Sequence, residues 1–379
     1  MTVVERTYAH SMLREIVEQP EALRRTLSAF TTAHNGALSL RENVFAPALA
    51  ALKDRQSLVI AASGSSRHAG LFAEVLLENI AGLAVEVEYA SEYIYRVPRS
   101  VGVPGFLVLS QSGETTDTLQ ALRQAHTRGL PTIAITNQSH SSMARLADCS
   151  LVTQAGTERA IPATKSFTTQ LLLLNLLALV AGRARGLLND AQVAAQLKEM
   201  AQLPALLEGA LPLWEGQLQF LANRLGSVAE YLFLGRGVHL PIAREAALKL
   251  KESAYVHAEA YPAGELKHGP NAVVSPASAV FLLATQDATS ADSVLRYEKM
   301  VSLIRDLKSQ DARLFAIASE GDTLLPELCE EVIFVPACTE ALTPILEVVP
   351  LQLLAYWTAI RLGIDADRPR NLAKAVLVE

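Results

Sequence analysis

Glu245, Lys249 and Glu252 fall at i, i+4 and i+7 in Glu245-Ala-Ala-Leu-Lys-Leu-Lys-Glu252, a segment otherwise rich in alanine and leucine. On a helix these three positions share one face. Two readings are open: a surface ion pair of about 0.3–0.5 kcal/mol, or a base with a cationic partner set up for proton transfer. The run Ser110-Gln111-Ser112-Gly113-Glu114-Thr115 offers different chemistry. It follows an apolar stretch and precedes a helical pattern, so backbone N–H groups at a helix start would join the hydroxyls of Ser110, Ser112 and Thr115 in holding an anion. Gly113 permits close backbone approach, and the run has no lysine, which suits a sugar monophosphate better than a magnesium-bound nucleotide triphosphate. The plain alternative is a hydroxyl-rich helix cap. His268 lies in a loop and Lys374 is five residues from the C-terminus; their positions alone suggest solvated side chains.

The elements that must carry these residues alternate in type. Ser57-Leu-Val-Ile-Ala-Ala ends in Ser63-Gly64-Ser65-Ser66 and is followed by a helical pattern over 69–81. Gly105-Phe-Leu-Val-Leu-Ser ends in the hydroxyl loop and a helix to Arg128, and Pro131-Thr-Ile-Ala-Ile-Thr comes next. Short apolar runs alternating with longer helices predict βαβ units around a parallel sheet covered on both faces. The order returns in the second half with Tyr231-Leu-Phe-Leu, Ala279-Val-Phe-Leu-Leu-Ala and Arg313-Leu-Phe-Ala-Ile-Ala. Gly64-x-x-x-His68 against Gly235-x-x-x-His239 is the clearest local match and predicts duplication of one α/β domain. The expected division is a helical arm over 1–40, domains over 41–195 and 196–365, and a tail over 366–379. The stretch from 171 to 189 reads as a buried helix and turn, and 191–211 as helical.

Composition narrows the class. The 379 residues are 50% hydrophobic and 19% charged with a formal net charge of -6, enough apolar material for two cores and no basic excess for a nucleic acid. Cys149, Cys329 and Cys338 are odd in number and lack C-x-x-C spacing, which predicts neither a disulfide framework nor structural zinc. The N-terminus has no apolar signal segment, and the run from Leu171 to Ala181 is interrupted by Asn175 and shorter than the ~20 residues of a membrane span. A cytoplasmic protein without membrane contact is expected.

Leu109-Ser-Gln-Ser-Gly-Glu-Thr-Thr-Asp-Thr resembles the signature loop of the sugar isomerase (SIS) domain family. Four further segments resemble the isomerase half of glucosamine-6-phosphate synthase: Ala155-Gly-Thr-Glu, Ala163-Thr-Lys-Ser-Phe-Thr-Thr-Gln, the stretch from Glu245 through Gly264-Glu-Leu-Lys-His-Gly-Pro270, and Arg368-Pro-Arg-Asn-Leu-Ala-Lys374. The likeness starts near Glu15-Ile-Val-Glu-Gln-Pro20 and covers nearly the whole chain. Stand-alone SIS-type glucosamine-6-phosphate deaminases are similar in length and wording.

The resemblance implies two tandem SIS domains, each a five-stranded parallel sheet with helices on both faces, a flavodoxin-like αβα layering. It implies Glu252 as the base that moves the C1/C2 proton, Lys249 as its assistant, Glu245 as support, and His268, supplied by the neighbouring subunit of a homodimer, as the ring opener. Lys374 matches the lysine that forms a Schiff base with a ketose. Ser65, Ser66, Ser110, Gln111, Ser112, Thr115, Ile161, Ala163 and Ala373 are assigned to the sugar and its phosphate. The synthase has a serine at the place of Ala163, so one hydroxyl to the substrate is lost. The expected substrate is an amino-sugar phosphate and no cofactor is expected. With no cysteine before Cys149 to serve a glutaminase, the expected reaction is glucosamine 6-phosphate to fructose 6-phosphate plus ammonia. The alternatives are the amination direction, another aminated sugar phosphate, or a sugar-phosphate-sensing regulatory module.

Overall fold

A computed structural model describes residues 7–34, 36–96, 102–226, 228 and 230–374. Two five-stranded sheets dominate it. The first contains β3 (Ser57–Ala62), β4 (Ala84–Tyr89), β5 (Gly105–Ser110), β6 (Thr132–Thr136) and β7 (Cys149–Val152) in the order β4-β3-β5-β6-β7. The second contains β8 (Glu230–Gly235), β9 (His257–Pro262), β10 (Ser278–Ala284), β11 (Arg313–Ser319) and β12 (Glu331–Val335). Its order, read as β9-β8-β10-β11-β12, repeats the first strand for strand, and every pairing in both sheets is parallel. The duplication predicted from the Gly64 and Gly235 loops is thus a duplication of topology. Both sheets have the 2-1-3-4-5 order of doubly wound folds, which bind ligands beyond the carboxyl ends of their strands.

The central strands explain why the apolar runs are continuous rather than alternating. Every residue of β5 and β10 is buried, as expected for strands covered on both faces. The edge strand β4 behaves differently: in Ala-Val-Glu-Val-Glu-Tyr, Val85 is buried and Glu86 exposed.

Helices of the first half are α3 (Glu42–Leu52), α4 (Gly64–Ala81), α5 (Ala90–Tyr93), α6 (Thr116–Thr127), α7 (Ser142–Leu146) and α8 (Lys165–Ala184). α9 (Asp190–Met200) and α10 (Leu203–Arg224) link the halves, so the helical stretch expected over 191–211 is two helices, and the second runs further. α11 (Leu240–Ala254), α12 (Ala291–Lys308), α13 (Leu325–Leu328) and α14 (Thr343–Arg361) complete the second half. α8 and α14 are long and apolar enough to cross a membrane, but 89% of each apolar window is buried inside the protein. They are the spine of a core that runs unbroken from one half into the other, with Leu171–Ala181 and Ile345–Ala355 in a single cluster.

The N-terminal segment departs from the simple helical arm. α1 (Ser11–Val17) and α2 (Gln19–Phe30) form as expected, but β1 (Thr31–His34) and β2 (Ala37–Leu40) make an antiparallel hairpin, turning at Gly36 with φ 79°. Met12, Leu13, Ile16, Leu23 and Phe30 are buried in the central core. Their spacing puts them on one face of each helix, and that face packs inward rather than lying loose.

Candidate active site

A cavity of about 250 Å³ opens at the carboxyl end of the first sheet, lined by residues from five separate segments. Ser63, Gly64, Ser65 and Ser66 come from the β3–α4 turn, and Ser110, Gln111, Ser112, Thr115 and Thr118 from the β5–α6 turn. Lys249 and Glu252 come from α11, and Ile161, Ala163, Leu372, Ala373 and Lys374 close the remaining wall. This volume lies below the ~300–1,000 Å³ of pockets for drug-sized ligands, so it suits a monosaccharide derivative better than a nucleotide.

Two helix N-termini face the cavity, those of α4 and α6, and neither Ser63 nor Thr115 at the N-cap uses its side chain to cap its own helix. The anion-binding potential of both termini is therefore directed at the cavity. The β5–α6 loop is held by its own hydroxyls: Gly113 N–H donates to Ser110 Oγ at 3.1 Å, Glu114 N–H donates to Ser112 Oγ at 3.2 Å, and Ser110 Oγ lies 3.1 Å from Thr115 Oγ1. Gly113 has φ 65° and no room: a Cβ there would lie 2.2 Å from Ser141 Oγ and 2.9 Å from Thr136 Oγ1. Gly113→Ala is expected to cost about 1–3 kcal/mol of stability and to weaken phosphate-ester binding at least tenfold. A denaturant midpoint and a calorimetric titration unchanged from the wild type would refute the tight-turn account.

On α11 the three charged residues form a ladder from the interior outwards. Glu245 is fully buried, Lys249 is 1% exposed, and Glu252 reaches the cavity wall. Lys249 Nζ lies 3.4 Å from Glu245 Oε1 and 2.5 Å from Glu252 Oε2. A surface ion pair is thereby excluded for Glu245 and Lys249. Burial pushes the Glu245 carboxyl up, yet the Lys249 charge and a hydrogen bond from His68 outweigh it and hold the group below its ordinary range. Burial pushes Lys249 down, but Glu252 and Glu245 prevail and its ammonium is held above its ordinary range. Lys249 thus sits as a fixed cation beside Glu252. His68, on α4, reaches Glu245 Oε2 through Nδ1 at 2.8 Å and ties the first half to the helix that carries the ladder. Its contact was not foreseen; the Gly64-x-x-x-His68 repeat was the available signal. In the second half His239 Nδ1 likewise meets Glu347 Oε2 at 3.0 Å.

The C-terminal segment is pinned, not frayed. Asp367 accepts the Ser11 and Met12 N–H groups at 2.7 Å each, and its carbonyl accepts Ile161 N–H at 2.9 Å. Arg370 N–H donates to Tyr255 Oη at 2.6 Å. Lys374 Nζ donates to Glu158 Oε2 at 2.8 Å and to the Ala160 carbonyl at 2.6 Å. Residues 375–379 of the expected tail lie outside the described residues. His268 ends a short 3₁₀ turn (Glu265–His268), is exposed, and lies outside the cavity formed by its own chain. Of the expected site residues, Glu245 and His268 do not line the cavity; Glu245 lies behind Lys249.

A larger cavity of about 770 Å³ lies at the corresponding end of the second sheet. Its walls include Glu199, Asp287, Glu320 and Asp322, a negative lining that repels a phosphate. The β10–α12 loop supplies its own anion as well. Asp287 Oδ1 accepts from the backbone and hydroxyl of Thr289 at 2.9 and 2.6 Å, and Oδ2 accepts Glu340 N–H at 3.3 Å. Duplication of the fold has therefore not duplicated the hydroxyl-lined loop of the first sheet. Among the described residues no group of three or more His, Cys, Asp or Glu side chains is placed to hold a metal ion. Burial raises the thiol of Cys149 to about 11 and those of Cys329 and Cys338 to about 12, so none is a ready nucleophile.

The SIS domain family model matches residues 51–180 and 228–362, one match on each repeat. Glutamine–fructose-6-phosphate aminotransferase (isomerizing) of Chlorobaculum tepidum is 40% identical over 372 residues, covering 98% of this chain and 59% of that protein. The protein of the same name from Gloeobacter violaceus is 41% identical over 379 residues, covering 100% of this chain and 60% of its own. The chain thus spans about three-fifths of the length of these relatives. The C-terminal domain of glucosamine-fructose-6-phosphate aminotransferase from Francisella tularensis superposes with a TM-score of 0.87 at 35% identity, covering 96% of this chain and 98% of that one. A glucosamine-6-phosphate deaminase from Thermotoga maritima, 24% identical with a TM-score of 0.70 and covering 97% of this chain and 99% of its own, shares the fold. With both repeats matched and the identity sustained from end to end, the chain belongs to the SIS domain family.

Proposed function

We propose that this protein interconverts a ketohexose 6-phosphate and the corresponding 2-amino-2-deoxyhexose 6-phosphate, with fructose 6-phosphate and glucosamine 6-phosphate as the pair. The observation that carries the reading is the meeting of a hydroxyl-lined anion loop, the Lys249–Glu252 pair and Lys374 in one small cavity. The N-termini of α4 and α6 take the phosphate. Glu252 carries the proton between C1 and C2, with the buried Lys249 ammonium stabilising charge on the adjacent oxygens. In the amination direction Lys374 serves as the amine that condenses with the C2 carbonyl, water leaving, and ammonia then displaces it to give the C2 imine that the proton shift converts to the amino sugar.

The names of the relatives at about 40% identity favour the amination direction. Deamination, the direction expected from the sequence, is the reverse of the same steps through the same groups. An assay in both directions tests the reading. Glucosamine 6-phosphate is expected to yield ammonia and fructose 6-phosphate, and fructose 6-phosphate with ammonium is expected to yield the amino sugar. A protein that binds either sugar phosphate and turns over neither is a regulatory module.

The exposed position of His268 favours a homodimer in which each chain lends this histidine to the cavity of the other. Subunits carrying Glu252→Gln and subunits carrying His268→Ala, each inactive alone, are expected to regain about a quarter of wild-type activity when mixed at equal amounts and randomly reassembled, because half the dimers are then hybrids and each hybrid has one intact site of two. Folded hybrids that stay inactive would show that the sites are not shared.

A further inference from the structure

Glu158 ends the Ala155-Gly-Thr-Glu segment, and neither the sequence reading nor the proposed chemistry gives it a part. Its side chain is fully buried. Oε1 accepts the N–H groups of Thr164 and Ser166 at 2.9 and 3.1 Å, and Oε2 accepts Ser166 Oγ at 2.7 Å and Lys374 Nζ at 2.8 Å. Three of these four donors belong to the turn that opens α8, the 20-residue buried spine of the fold. The carboxylate is therefore aimed before the lysine arrives. A buried carboxylate without a cation is costly, and Lys374, on a flexible four-carbon stem near the chain end, has nothing else so rigid to hold it. Burial pushes the Glu158 carboxyl up, but the Lys374 charge and the hydrogen bonds prevail and keep it ionised.

The backbone beside Glu158 is fixed from the other side by the N-terminal arm. Glu15, fully buried on α1, accepts the N–H groups of Arg159 at 2.5 Å and Ala160 at 3.2 Å, and the Ala160 carbonyl is the second acceptor for Lys374. Arm, Ala155–Ala160 segment, α8 turn and C-terminal tail thus close on one point.

We infer that Glu158 is a positioning residue for the reaction, holding the Lys374 amine in the cavity wall; its carboxylate, 2.8 Å from Nζ, takes the proton the ammonium sheds before the nitrogen adds to the ketose carbonyl, and the C2 oxygen leaves as water. The inference rests on the proposed function for the role of Lys374, and its test separates the two. Borohydride, which reduces an imine to a stable secondary amine, is added to enzyme and fructose 6-phosphate, and attachment at Lys374 is followed by mass spectrometry. Glu158→Gln keeps the shape and removes the charge. It is expected to lower the trapping rate about 10–100-fold while exchange of the C2 proton of glucosamine 6-phosphate stays within about threefold of the wild type. Glu158→Asp keeps the charge but withdraws it by one methylene, and is expected to lower trapping by a smaller factor; it serves if the Gln variant does not fold. A merely structural role would lower the melting temperature and leave the trapping rate per folded molecule unchanged, and that result overturns the inference. If the wild type itself neither traps sugar nor exchanges the proton, the proposed function fails. The seat is then judged by amide hydrogen exchange over residues 366–374, expected to quicken in Glu158→Gln; protection equal to the wild type overturns the inference.

Discussion

Replacing Glu252 by Gln is expected to lower turnover by about 10²–10⁴ while leaving sugar-phosphate affinity nearly intact. The amide keeps the volume of the side chain and removes the proton acceptor. The fold should tolerate it, because Lys249 retains Glu245 at 3.4 Å as its buried counter-charge and Glu252 itself lies at the cavity wall. In the proposed reading the phosphate is held elsewhere, by the two helix N-termini and the hydroxyls of the β5–α6 loop that line the cavity, so binding and chemistry would divide between the two halves of the cavity. Loss of exchange of the C2 proton with solvent deuterium is the specific signature, since exchange needs the base and not the later imine steps. Exchange at the wild-type rate in Glu252→Gln would remove this residue from the mechanism.

The fold was legible where burial writes a continuous apolar run. β3, β5, β6, β8, β10 and β11 are interior strands, and each appears in the sequence as four or more apolar residues ending at a small or hydroxylated one. The edge strands β4, β7, β9 and β12 are short or partly exposed, and the count of five strands in each sheet, two more than the three apolar runs read in each half, followed from the family likeness. The hairpin at 31–40 escaped for a related reason: most of its residues are exposed or half-buried, and an expectation of helix simply ran on from α2. Within the site, the β5–α6 loop was legible because all its parts are consecutive. The acid–lysine ladder was legible as a spacing but not as buried, because burial depends on α4 and its His68, far away in sequence. The Glu158 seat left no local trace, since it joins residues 216 positions apart.

Lys374→Ala should separate the steps that Glu252→Gln removes together. Starting from glucosamine 6-phosphate, C2 carries an amine and becomes an imine carbon only through the proton shift, so the shift by Glu252 does not require the lysine, whereas displacement of the nitrogen as ammonia does. The variant is expected to keep C2 proton exchange within about tenfold of the wild type and to lose about 10²–10³ in the complete reaction, roughly 2.7–4 kcal/mol of barrier at 1.36 kcal/mol per tenfold. Removing the lysine also leaves Glu158 buried without its cation, a change that destabilises a sealed pair by about 3–5 kcal/mol. Here the penalty should be smaller, because the Lys374 side chain is 26% exposed and water can follow the shortened side chain toward the carboxylate. Measuring proton exchange, complete turnover and thermal midpoint on the same preparation distinguishes the contributions. If exchange and turnover fall by the same factor in a protein that remains folded, Lys374 acts at or before the proton shift, and the proposed order of steps is overturned.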